Sequence, residues 1–281
     1  MALRAVVVGG GIGGIAAAVA LARAGVDVRV YEQAQQLAEV GAGVSLAPNG
    51  LRMLERLGVG EGIRRVGARY VSAQLRFSDG RAVRHEPYQF TQPGRNVGIH
   101  RADLLALLAG QLPPGTVRTG HRCTGFSQNA GRATAGFADG TTATADVVIG
   151  ADGIHSVLQG FVVAPAKPVF SGVVAYRGLV PRLDEYPADA MRMWVGESRH
   201  FLVFPVRAGQ LLTAARRRLG QLRQSADRPA MDLRIRRVDR SHRAHLRTEP
   251  RRSPCSPFPS FRQEIRYAGA AADAGCCSPG R

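Results

Sequence analysis

Five glycines, Gly9, Gly10, Gly11, Gly13 and Gly14, fall within six positions and interrupt otherwise apolar sequence. Glycine loses the most backbone freedom on folding, so such a run needs a structural use. Before it, Leu3–Val8 (LRAVVV) is a short apolar stretch that predicts a buried parallel strand. After it, an alanine-rich helix pattern runs from about Ile15 to Ala24 and closes on Gly25. Val26–Tyr31 reads as a second strand. The unit is β-α-β with tight connections, the opening of a doubly wound α/β fold.

Gly9, Gly11 and Gly14 fit G-x-G-x-x-G, with Gly13 inside the same turn. The first glycine allows the tight turn, the second lets backbone approach a pyrophosphate, and the third lets helix pack on sheet. The helix N-terminus offers free N–H groups and a positive dipole end to phosphates. Glu32 ends the second strand, 21 residues after Gly11. A carboxylate there accepts hydrogen bonds from ribose hydroxyls and repels a 2′-phosphate, which disfavours NADP at this site. The alternative is a glycine-rich turn with no ligand.

Downstream, residues 41–50 (GAGVSLAPNG) predict a glycine-rich loop, and Leu51–Leu57 a short amphipathic helix ending at Gly58. Residues 70–85 predict a hairpin turning at Asp79-Gly80. A helix is expected from about Arg101 to Gln111, before Pro113-Pro114. Residues 122–145 read as paired hairpins, and Asp146–Gly150 as a buried strand feeding Ala151-Asp152-Gly153. Asp152 also suits an N-cap before Ile154–Leu158. Strands are expected at Val169–Val180, Met191–Val195, His200–Val206 and Gln210–Thr213.

After Thr213 the character changes to arginine runs mixed with proline and serine. The chain carries a net charge of +17 over 281 residues, and most of the excess lies in this last stretch. Its few aromatics, Phe258, Phe261 and Tyr267, match no nucleic-acid motif, so no specific nucleic-acid partner is expected. Cys123 stands apart from Cys255, Cys276 and Cys277, which gives neither a disulfide framework nor zinc spacing. A reducing cytoplasm is the expected setting, with no metal. The glycines in the apolar start argue against a membrane span.

Several separate pieces resemble the FAD-dependent aromatic hydroxylases of the para-hydroxybenzoate and salicylate hydroxylase type, over about residues 3–213. The pieces are VVVGGGIGGIAAAVALARAGVDVRVYEQ, GAGVSLAPNGLRMLERLG, IHRADLLALL, DVVIGADGIHSVLQ and SGVVAYRGLVP with WVGESRHFLVFPVRAGQLL. The resemblance implies that Glu32 and Gln33 bind the adenosine ribose region, and that Gly43, Val44 and Ser45 run along the flavin. It implies that Arg101 touches FAD, that the Cys123 backbone lies near the adenine, and that Asp152-Gly153 serves both FAD and NAD(P)H. Ser156 matches the family serine, but Gln159 stands where relatives carry arginine, which weakens a phosphate contact. His200 matches a histidine that acts as a base toward a substrate phenol; a structural strand histidine is the other reading.

The implied fold is α/β, a Rossmann-like FAD-binding domain with a β-rich, incomplete substrate domain. The implied division is 1–165 for FAD, with a hairpin excursion at about 70–90 on the substrate side, 166–213 for the partial substrate domain, and 214–281 as a basic tail expected to be disordered. The implied reaction hydroxylates a small aromatic with NAD(P)H and O2 through a flavin hydroperoxide. Relatives continue into a second flavin motif, Gly-Asp-Ala-Ala-His, and no Gly-Asp pair follows residue 213 here. A truncation or frameshift near residue 214 is therefore expected. The alternatives are an inactive or weakly FAD-binding remnant and an NAD-linked Rossmann reductase.

Overall fold

A computed structural model describes residues 2–37, 42–83, 88–89, 96–164, 169–171, 173–197 and 199–219. Gly41, the remainder of the 70–90 excursion, Cys255, Cys276, Cys277 and the tail from 220 onward lie outside the described residues.

The first unit is β1 (Arg4–Val8), α1 (Ile12–Arg23) and β2 (Asp27–Tyr31). Ala5 to Val8 are all buried, the signature of a strand covered on both faces. Helix α1 begins at Ile12, three residues before the apolar periodicity suggests. Gly13 and Gly14 therefore sit inside its first turn. Gly25 follows the last turn at φ +81°, where glycine meets no Cβ penalty.

Next come β3 (Gly43–Leu46), α2 (Pro48–Arg56), α3 (Gly60–Val66) and β4 (Ala68–Tyr70). The stretch expected as a glycine-rich loop is thus a strand and a helix start. Pro48 occupies the first helical position, where a missing N–H costs nothing. Helix α3 has no counterpart in the sequence reading. Two glycines hide it, and one of them explains its packing: a side-chain carbon on Gly62 would lie 2.4 Å from Leu107.

The chain then forms β5 (Ser72–Phe77), β6 (Tyr88–Gln89), β7 (Asn96–His100) and α4 (Arg101–Ala109). The Asp79-Gly80 turn forms as expected, with Gly80 at φ +91° and the Phe77 N–H donating to the Arg81 carbonyl at 2.8 Å. Strands β8 (Val117–Arg118), β9 (Cys123–Gln128), β10 (Ala133–Phe137), β11 (Thr142–Ala145) and β12 (Val147–Gly150) follow. A turn of 3-10 helix at Gly153–His155 leads to α5 (Gln159–Val162). Strands β13 (Val173–Pro181), β14 (Ala190–Gly196), β15 (Arg199–Val206) and β16 (Leu211–Leu219) complete the described chain.

Four sheets result. The parallel sheet β12-β1-β2-β8 carries the dinucleotide-type turn. Three antiparallel strands, β11-β10-β9, form a second sheet. A third, β3-β7-β4, carries Gly43–Ser45 and leads into Arg101. The fourth runs β13-β16-β15-β14-β5-β6, and β5 joins it parallel to β14. Strand β16 continues to Leu219, six residues past Thr213, because it pairs with β13 and β15 at once. Backbone hydrogen bonds on both edges hold a strand whose side chains carry little strand signal.

The largest core lies between α1, α4 and the parallel sheet, with Val7, Ile15, Ala18, Val30, Ile99 and Leu108 fully buried. A second core beneath β10 packs Tyr31, Phe137 and Cys123 against Val6 and Val8. The β3-β7-β4 sheet and the fourth sheet meet where glycine permits it. A side-chain carbon on Gly98 would lie 2.0 Å from the Pro205 carbonyl oxygen. Among the described residues no helix is long and apolar enough to cross a membrane.

Candidate functional site

Three chain crossings end side by side in the parallel sheet: Val8 on β1, Tyr31 on β2 and Gly150 on β12. A cleft of about 250 Å3 opens outside these carboxyl ends, the usual ligand position in an open α/β sheet. Gly9 and Gly11 enter it from β1, Glu32 and Gln33 from β2, and Asp152 and Gly153 from β12; Cys123 completes it from β9. The sequence separates these residues by more than a hundred positions, and the fold brings them to one wall.

The N-terminus of α1 faces this cleft. Gly11 is its N-cap, without a side-chain cap, and no acidic residue occupies the first turn. The first N–H groups are therefore left to an outside acceptor. A side-chain carbon on Gly11 meets nothing within 4 Å, so the space beside it is open. Gly14 does a different job. A side-chain carbon there would lie 1.9 Å from the Gly9 carbonyl oxygen, so it packs helix against turn and does not line the cleft. Gly13 is in the first helical turn and does not line it either.

Glu32 is held in place by backbone donors. Its carboxylate accepts the Gly10 N–H at 2.5 Å and the Ala34 N–H at 2.8 Å. One bond falls on each oxygen, so each keeps a lone pair for a ligand hydroxyl. Asp152 is likewise committed to its own loop. It accepts the Ser156 hydroxyl at 2.6 Å, the Val157 N–H at 2.7 Å and the Leu158 N–H at 3.2 Å. Asp152 thus holds the N-cap position of the 3-10 turn at Gly153–His155, where the sequence places a cap, but its side chain makes no cap bond to that turn and ties down the residues before α5 instead. Ser156 passes the network on by accepting the Gln159 N–H at 2.9 Å.

Tyr31 and His121 also line the cleft, and the sequence reading missed both. Tyr31 stacks on Phe137 with ring centroids 4.5 Å apart, and His121 meets Tyr31 edge-on at 5.3 Å. The His121 Nδ1 lies 2.7 Å from the Thr119 carbonyl oxygen, so this nitrogen carries the donated proton. Cys123 is buried with its Sγ 3.5 Å from the Gly125 carbonyl oxygen, and burial pushes the thiol pKa up. A thiol held protonated in this way is a poor nucleophile.

The remaining predicted residues form a second group. Gly43, Val44 and Ser45 make up most of β3 and pair with β7, and the Arg101 N–H donates to the Ala42 carbonyl at 3.0 Å. Ser45 hydrogen-bonds through its hydroxyl to the buried Tyr70 phenol. None of these lines the cleft described above. His200 lies on β15, opposite Val195 and Arg217. Strand alternation puts it on the face shared by Leu202, Phe204 and Val206. Phe204 and Val206 pack with Tyr70, so this face is turned toward the β3-β7-β4 sheet.

The sequence matches the profile of a family described as FAD binding domain across residues 2–229. This chain belongs to the FAD-dependent aromatic monooxygenase family. The match runs beyond residue 213, where the sequence resemblance was expected to stop. The chain is 40% identical over 213 residues to a 3-amino-4-hydroxybenzoate 2-monooxygenase of Streptomyces platensis, covering 72% of this chain and 53% of that protein. It is 36% identical over 233 residues to a salicylate hydroxylase of Pseudomonas putida, covering 75% of this chain and 54% of that protein. The chain thus spans about half the length of the curated relatives it matches. Among solved structures, a salicylate hydroxylase substrate complex superposes with a TM-score of 0.65 at 31% identity, covering 81% of this chain and 59% of the other. Klebsiella pneumoniae HpxO complexed with FAD and uric acid superposes with a TM-score of 0.71 at 29% identity, covering 78% and 57% respectively.

Proposed function

We propose that the chain binds the adenosine diphosphate end of FAD in the cleft at β1, β2 and β12, and that the flavin end extends toward Gly43–Ser45 and Arg101. The observation that carries this is the convergence of the uncapped α1 N-terminus, the Glu32 carboxylate and the Asp152-Gly153 turn on one cleft. The residues fit the group. Backbone N–H groups of α1 meet the diphosphate, Gly11 leaves room for it, and Glu32 accepts the ribose hydroxyls. Gln33 and the Cys123 backbone stand beside the adenosine, and Tyr31 and His121 wall it in.

The reaction proposed is hydroxylation of a small aromatic, phenol or aromatic acid, with NAD(P)H as electron donor and O2 as co-substrate. Bound FAD would supply the electron transfer and the oxygen activation. The fourth sheet supplies the substrate surface. Met191, Met193, Leu202 and His200 share its half-buried face by strand register. Such a face suits an apolar ring and excludes water from it. His200 brings an imidazole to that face, and it accepts the phenol proton, which raises the electron density of the ring.

The test is anaerobic NADH addition to the FAD-loaded chain, followed by air and candidate phenols. Bleaching of the flavin band and phenol-dependent oxygen uptake support the reading. A flavin that stays oxidised with every phenol tried, at both NADH and NADPH, overturns the hydroxylase part and leaves FAD binding to be judged separately.

A further inference from the structure

Strand β3 and the fourth sheet meet at one buried polar side chain. Thr213 on β16 is 3% exposed, and its hydroxyl oxygen accepts the Gly43 N–H at 2.9 Å, across 170 positions of sequence. A side-chain carbon on Gly43 would lie 2.4 Å from the Thr213 methyl carbon, so only glycine lets the two approach this closely. Thr213 is held between Leu179 and Phe204 by pairing on both strand edges. Its backbone cannot back away without breaking those ladders.

We propose that Thr213 is a positioning residue that sets the depth of the Gly43–Ser45 backbone, and with it the place of the flavin ring relative to the substrate sheet. The proposal rests on the reading of Gly43, Val44 and Ser45 as flavin neighbours. The Gly43 N–H is already donated to Thr213, so Gly43 serves the flavin by where its backbone lies and not as a donor. At the other end of the same three residues, the Ser45 hydroxyl is tied to Tyr70, which is 1% exposed. The strand is tethered at both ends, and only the Thr213 tether comes from the sheet that carries His200.

Threonine suits the position for two separate reasons. Its hydroxyl satisfies a buried N–H, and its methyl fills the space left by Gly43. Valine keeps the shape but strands the donor, which is the costlier error. Serine keeps the acceptor and loses one methyl.

The experiment is calorimetric titration of the wild-type chain, Thr213→Val and Thr213→Ser with FAD and, separately, with ADP. ADP occupies the α1 cleft without reaching β3. Thr213→Val is expected to weaken FAD about tenfold, the scale set by an unsatisfied buried donor. It is expected to leave ADP within about twofold, and Thr213→Ser to hold FAD within about threefold, on the same reasoning. Equal loss for FAD and ADP, or no loss for either, overturns the proposal. Gly43→Ala pushes the strand off from its other side and should reproduce the FAD-selective loss; if it spares FAD, the proposal falls even where Thr213→Val does not fold. Wild-type chain that binds FAD no better than ADP removes the flavin-side reading and this proposal together. Wild-type chain that binds neither removes the nucleotide reading itself.

Discussion

A side-chain carbon placed on Gly9 would lie 2.2 Å from the carbonyl oxygen of Ala151. That contact packs the turn after β1 against the segment after β12, and it brings the α1 N-terminus and Asp152-Gly153 to one cleft. Gly9 also sits at φ +111°, a conformation that side chains resist. Gly9→Ala therefore combines strain with a backbone clash and is expected to cost about 2–4 kcal/mol. Urea denaturation of the two proteins measures it. A cost below about 1 kcal/mol would mean that the turn shifts freely and that the junction is not fixed by Gly9.

Glu32 should set the preference among adenine nucleotides. Its carboxylate repels a 2′-phosphate and accepts from a 2′-hydroxyl. ADP is expected to bind at least about tenfold more tightly than 2′-phospho-ADP, which corresponds to about 1.4 kcal/mol. Glu32→Gln should narrow that ratio while weakening ADP, because one charged acceptor is lost. A ratio unchanged by the substitution would place the ribose elsewhere.

His100 gives the chain a pH dependence. The imidazole is 6% exposed, and its Nδ1 has no hydrogen-bond partner among the described residues, with Asp103 Oδ1 3.7 Å away. Burial pushes its pKa down; Asp103 opposes this and Arg207 adds to it. The unfolded chain binds the proton near pH 6.5, before the folded chain does. Stability from this group is therefore whole above about pH 6.5 and is lost as pH falls below it, toward the lowered folded value. Melting temperatures at pH 7.5 and 5.5 should fall less in His100→Gln than in the wild type. Equal falls would assign the acid sensitivity to other groups.

The turn between β15 and β16 stores strain that can be relieved. Arg207 and Ala208 lie at φ +50° and +51°, and Gly209 follows at φ +84°. Arg207 gains a two-pronged pairing with Asp103, at 3.0 and 3.1 Å, which anchors the turn to α4. Ala208 has an exposed side chain and no such return. Ala208→Gly is expected to stabilise the chain by about 0.5–1 kcal/mol, since glycine adopts this backbone without the Cβ penalty. A lower melting temperature in that variant would show that the turn is not strained.

What the sequence discloses here is local. The strand, the glycine turn and the helix follow one another within thirty residues, and each carries its own chemical signal. Glu32 is legible because its distance from Gly11 is set by one helix and one strand. Tyr31 and His121 are not, since their meeting depends on β8 lying beside β2, a pairing between remote segments. Strand β3 reads as loop because it is only four residues long and two of them, Gly43 and Ser45, carry weak strand preference, and its stability comes from β7 and Thr213. The end of β16 reads as tail because arginine runs look solvated, while two flanking strands hold its backbone. In each case the missing information was a partner far away in sequence.

The central claim is that this chain holds FAD through the cleft at β1, β2 and β12. The direct measurement is the visible absorption spectrum of the purified chain after FAD is added and the protein is desalted, beside a Gly11→Val variant that fills the open space at the α1 N-terminus. The account predicts a retained flavin band in the wild type and none, or nearly none, in the variant. A colourless wild type, or two equally yellow proteins, would contradict it.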